Sequence, residues 1–193
     1  MHRLLGITVL AGLASAATAG AQDRMADAVA TAVLPLPDTL RAAATVIQWD
    51  NDEVLRRGSN GITCLTDRPG DDRLTLVCYP TAAEGYMRRG RELGREGLRG
   101  NEYRAVLGAE LRSGDLYLPA GTLVRNLSGA VNQATGVPDS VRVWSEFLLP
   151  FAEPGELGIP VFNAGLDPWM MSAGTVGAHV MVRYRTVPWD EVP

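Results

Sequence analysis

Apolar residues along the chain recur first at helical spacing, then at strand spacing, then at helical spacing again, and finally return to strands. Met25, Val29, Ala32 and Val33 repeat with a helical period within residues 22–33, which predicts a short helix ended by Pro35 and Pro37. Asp38 is placed to cap one more helical turn reaching Ala44. The segment Thr45–Trp49 is β-branched and aromatic, Asp50-Asn51-Asp52 is turn chemistry, and Glu53–Arg57 is expected to return as a paired strand. Asn60-Gly61 marks a second turn, and Ile62–Thr66 and Leu74–Tyr79 read as two strands around a polar loop.

Thr81 followed by Glu84 has the spacing of a capping box and opens a predicted helix running to about Leu98. At 100° per residue, Ala82, Ala83, Tyr86, Met87, Leu93 and Leu98 share its core side, and Arg88, Arg91, Arg95 and Arg99 form a stripe opposite. Gly90 and Gly94 fall on the apolar side, where they permit close backbone approach, although each costs about 1 kcal/mol against Ala in a helix. A second helix starts after Gly100-Asn101 and stops at Ser113-Gly114. Strands follow at Leu123–Ser128, Val141–Leu149 and Gly177–Tyr184. Strands, two helices and strands again predict an α+β domain, with a mainly antiparallel sheet and the two central helices packed on one face. Residues 22–44 form an N-terminal helical segment and 45–193 a single domain in this reading.

The N-terminus reads as a secretion signal. His2 and Arg3 precede an apolar run from Leu4 to Ala19, and Ala19-Gly20-Ala21 offers a cleavage site, so residues 1–21 are expected to be removed. The run is too short and too rich in Ala and Gly for a retained anchor. No Cys follows it to carry a lipid, and no later stretch approaches membrane-spanning length. The two cysteines, Cys64 and Cys78, favour one disulfide in an oxidising compartment. Folding their hairpin about residue 71 sets them opposite each other on one face.

Composition narrows the chemistry. With 193 residues, 46% apolar and 21% charged, the chain holds enough material for one packed domain. A net charge of -4 argues against nucleic acid as a partner. All 18 cationic side chains are Arg, which excludes Schiff-base, phosphate-loop and general-base lysines.

Three stretches together resemble a family of exported bacterial proteins with no established activity. They are Leu55–Cys64 running into Cys78, Met87-Arg88-Arg89 followed by Ser113-Gly114 and Leu118-Pro119, and Asp167-Pro168-Trp169 before a closing apolar strand. The resemblance implies export and pairing of Cys64 with Cys78, and implies no activity. In the comparable strand, Val143 to Phe151, Trp144 stands where members often carry a histidine.

After the leader the only histidine is His179, and a triad with Ser172 and Asp167 lacks a Gly-x-Ser-x-Gly elbow. A strand histidine with ordinary hydrogen bonds is the simpler reading. Zinc lacks ligands, and Asp50, Asp52 and Glu53 depart from the EF-hand pattern, so neither a metal nor a cofactor is expected. Glu146, Glu153 and Glu156 are the acids a glycosidase-like pair would draw on. Trp49, Trp144, Trp169 and Trp189 are candidates for a ligand groove or for packing. Asn126-Leu127-Ser128 matches a glycosylation acceptor.

The Arg stripe is the most function-like feature. Its four guanidinium groups suit an anionic partner, either an anionic envelope component or an acidic protein, although Glu84, Glu92 and Glu96 lie at pairing distance along the helix. The sequence favours a non-catalytic exported binding or accessory protein of the bacterial envelope. The alternative is a small periplasmic hydrolase using carboxylates or His179.

Overall fold

A computed structural model of the chain describes residues 25–68, 70–163 and 168–192. The leader-like residues 1–21 and Asp167 lie outside the described residues. Residues 25–32 are helical (α1) and lead through a tight turn to a single helical turn, α2 (Asp38–Arg41). Asp38 is the first residue of α2 and pairs with Arg41, while Pro37 holds the cap position.

Eight strands follow: β1 (Thr45–Ile47), β2 (Val54–Arg56), β3 (Ile62–Leu65), β4 (Arg73–Pro80), β5 (Thr122–Ala130), β6 (Ser140–Leu148), β7 (Trp169–Met171) and β8 (His179–Pro188). They make one sheet in the order β2-β1-β3-β4-β5-β6-β8-β7. Every pairing is antiparallel except β1 with β3. The protein is thus an α+β fold with a mostly antiparallel sheet. Neither the parallel β1–β3 pair nor the short edge strand β7 is anticipated by the sequence pattern. Hairpin chemistry signals neighbours in sequence, and the β1–β3 pair skips one.

Strand β4 is buried on both sides, which explains its nearly unbroken apolar run. Its Cys78, Leu76 and Leu74 face the N-terminal and C-terminal segments. Cys64, Cys78 and Val46 pack with Ala32, Val33 and Leu36, and Leu74, Leu76, Leu127 and Val141 pack with Leu34, Trp189 and Val192. Val77 and Tyr79 face the other way and join Ile47, Leu65 and Val124 under Ala83 and Met87. Cys64 and Cys78 pair directly in the β3–β4 register and are joined in a disulfide, both fully buried.

After a 3-10 turn at Thr81–Ala83 come the two longer helices, α3 (Glu84–Arg95) and α4 (Gly100–Ser113), and α5 (Pro154–Leu157) adds a last short turn. α3 ends with Gly97 at φ +90° and a Leu98 N–H to Leu93 carbonyl bond, a glycine C-cap of the Schellman type. α4 ends at Gly114, which is also left-handed. The two helices make different contacts. The start of α3 touches the sheet through Met87, whereas α4 buries Leu107 against Leu93 and Val176.

Candidate functional site

Where α3, the start of α4 and the sheet diverge, a cavity of about 580 Å³ opens. Leu65 and Val77 supply its floor from β3 and β4, Met87 and the glycines Gly90 and Gly94 its α3 wall, and Trp49 and Leu98 its ends. Arg68, Arg91, Arg95 and Arg99 also line it, together with Asp50, Tyr86 and Tyr103.

Gly90 and Gly94 give this wall its shape. A Cβ on Gly90 would lie 2.5 Å from the Tyr103 hydroxyl, so that hydroxyl occupies the space the glycine leaves on α3. A Cβ on Gly94 would meet only the Arg99 guanidinium, at 3.8 Å, and would otherwise stand in the cavity. Both glycines thus occupy the apolar side that the helical period assigns them.

The stripe of arginines is divided by the fold. Arg91 is not on the solvent face: its side chain is 2% exposed. Its Nε donates to Asp52 at 2.7 Å, its Nη2 to Glu84 at 2.6 Å and its Nη1 to the Tyr79 hydroxyl at 3.1 Å. That hydroxyl in turn donates to Glu84 at 2.6 Å. Arg95 reaches the second oxygen of Asp52 at 2.7 Å and the carbonyls of Trp49 and Asp50. Arg88 lies loosely beside Glu92 at 3.6 Å. Arg99 turns its guanidinium back to the Gly94 and Leu98 carbonyls, where a cation suits the helix C-terminus. Among the described residues, neither Arg68 nor Arg99 has a carboxylate at ion-pair distance.

Two sequence signals therefore mean something other than their first reading. Thr81 and Glu84 form no capping box: no side-chain cap bond is made, the Thr81 hydroxyl meets that of Thr63 at 2.9 Å, and Glu84 serves Arg91. Glu84 and Arg91 are seven residues apart and share a helix face, the one local cue to their pairing. Asp52, the partner of Arg91 across the fold, had no such cue. It sits at φ +61° in the β1–β2 turn, in the left-handed region that Asp adopts more readily than most non-glycine residues.

Electrostatics follow from these contacts. Burial pushes the Asp52 carboxyl up, but hydrogen bonds and charge from Arg95 and Arg91 outweigh it, leaving the group below the usual aspartate value. Burial raises Tyr79 far above the ordinary phenol range, and raises Tyr86 to about 12, with a small contribution from Tyr103. The cavity phenols of Tyr86 and Tyr103, the latter also raised by burial, are therefore neutral donors.

The other candidates are dispersed. Of the four tryptophans only Trp49 lines the cavity; Trp189 joins the core, Trp169 is buried, and Trp144 donates to Glu146 at 3.0 Å. His179 places Nδ1 2.8 Å from the Gly177 carbonyl and Nε2 3.6 Å from Glu146, so neither nitrogen is turned to Ser172. Glu153 lies against Gly174 and Glu156 is exposed on α5. Asp52 is occupied by arginines, and among the described residues no group of three or more His, Cys, Asp and Glu is placed to hold a metal. Asn126 is 6% exposed within β5, so its acceptor motif is inaccessible in the folded chain.

Among the described residues no helix is long and apolar enough to cross a membrane. Compared with known proteins, the chain matches no family model, no curated protein and no solved structure.

Proposed function

We propose that the protein is an exported, non-catalytic binding or accessory module of the bacterial envelope, and that its ligand site is the cavity between α3, α4 and the sheet. The observation that carries this reading is the pairing of an apolar chamber of about 580 Å³ with two guanidinium groups, Arg68 and Arg99, that have no acidic partner among the described residues. Arg91 and Arg95 hold the β1–β2 turn against α3 and shape the site, rather than serving as the anion receptor themselves. The buried Cys64–Cys78 disulfide and the leader-like N-terminus support export.

The rival reading, a hydrolase, draws on the neighbouring Glu146 and His179. One probe separates the two. 4-Nitrophenyl phosphate, an aromatic anion, is expected to raise the melting temperature, to lose that effect in an Arg68→Ala/Arg99→Ala variant, and to be recovered unchanged. Hydrolysis of it, or of 4-nitrophenyl acetate, that is abolished by His179→Gln or Glu146→Gln would overturn the proposal.

A further inference from the structure

We propose that the cavity takes a single-chain amphiphilic anion, with its head group at Arg68 and Arg99 and its hydrocarbon chain laid along Trp49, Met87 and Leu98. This rests on the reading of the cavity as the ligand site and adds the chemical class of the ligand.

Charge is distributed unevenly around the cavity. Of the four lining arginines, Arg91 and Arg95 are committed to Asp52 and Glu84, and only Arg68 and Arg99, both exposed, are free of carboxylates among the described residues. The positive charge available to a ligand is thus confined to the rim. The one acid lining the cavity, Asp50, is also exposed and disfavours a second anionic group. A polyanion would need a continuous basic track, but Glu92, Glu96 and Glu110 interrupt the neighbouring surface by pairing with Arg88 and Arg89. A compact anion would use the rim and leave the apolar interior empty.

Shape points the same way. The α3 wall is flat at Gly94, where a Cβ would face the chamber and have only the Arg99 guanidinium within 4 Å. The phenols of Tyr86 and Tyr103 line the same chamber and remain protonated, so they add donors without adding negative charge. A monomeric alkyl carboxylate satisfies both parts, since burial of its methylenes provides affinity and the head fixes orientation.

The test is calorimetric titration of the disulfide-bonded protein with hexanoate, octanoate, decanoate and dodecanoate below their micellar concentrations. Affinity should rise roughly tenfold for every two methylenes until the chamber is filled. Dodecyltrimethylammonium should bind at least tenfold more weakly than dodecanoate. Gly94→Leu, which places a good helix former in α3, should preserve the circular dichroism without lowering the melting temperature and should weaken dodecanoate at least tenfold. Arg68→Ala/Arg99→Ala should weaken every carboxylate while leaving the dependence on chain length intact. Equal binding of the cationic amphiphile overturns the inference, as does binding only to phosphatidylglycerol vesicles. If 4-nitrophenyl phosphate binds but chain length has no effect, this inference falls and the binding-module reading stands; if no anion binds, both fall.

Discussion

Arg91 Nε lies 2.7 Å from the Asp52 carboxylate, joining the middle of α3 to the β1–β2 turn across 39 residues of sequence. Asp52 is held at positive φ at the other end of this contact. Because Arg91 is buried and also serves Glu84 and Tyr79, replacing it removes one donor from each of three polar groups and leaves Asp52 to Arg95 and Glu84 to the Tyr79 hydroxyl. Arg91→Leu is expected to lower unfolding stability by about 3 kcal/mol, as for breaking a buried ion pair. Arg95→Ala removes an exposed partner of the same carboxylate and should cost less than about 1 kcal/mol. Urea denaturation of the two variants checks the contrast, and equal losses would contradict the different roles assigned to them.

Asp52 and Asp67 should respond to pH in opposite senses. Asp52 is depressed below the ordinary value of 3.8, so its stabilisation is fully present above about pH 4 and is lost as pH falls through the lower folded-state value. Asp52→Asn should therefore flatten the acid limb of the stability profile. Burial raises Asp67 above the same ordinary value, despite N–H bonds from Thr75 and Arg68. Its contribution is present at low pH and is lost as pH rises, so the ionised form is a burden near neutrality. Asp67→Asn keeps the oxygen acceptor and should raise the melting temperature at pH 7 but not at pH 3, which a pH series of thermal melts would show.

The disulfide bridges positions 14 apart inside the core beneath Ala32, Val33 and Leu36. Loop-closure entropy assigns it about 3 kcal/mol. A Cys64→Ala/Cys78→Ala variant should lose about that amount. The native protein should show no thiol to an alkylating reagent, even when unfolded without reductant.

These features differ in how far they could be read in advance. The Cys64–Cys78 pairing was legible because a hairpin with a central loop fixes its own register, and Asn60-Gly61 and Ser113-Gly114 mark their turns by local backbone chemistry. The Arg stripe was legible as a period but not as an environment. Helical spacing places Arg91 beside Arg95, yet what buries it is a turn contributed from 39 residues away. The parallel β1–β3 contact and the packing of α4 against Leu93 and Val176 are likewise long-range outcomes, which no local propensity signals.

The glycines of α3 offer a further check. Gly94→Ala should add about 1 kcal/mol through helix propensity, since its Cβ meets no close neighbour. Gly90→Ala gains the same propensity but must displace the Tyr103 hydroxyl, and should be less stable than Gly94→Ala. Thermal melts that rank the two the other way would place the α3–α4 contact elsewhere.

Ligand-induced shifts in the methyl and arginine Nε resonances test the binding site most directly. On titration with 4-nitrophenyl phosphate, saturable shifts are expected at the Met87 and Leu98 methyls and at the Nε groups of Arg68 and Arg99. Shifts centred on Glu146 and His179, or no saturable shifts at all, would contradict this assignment.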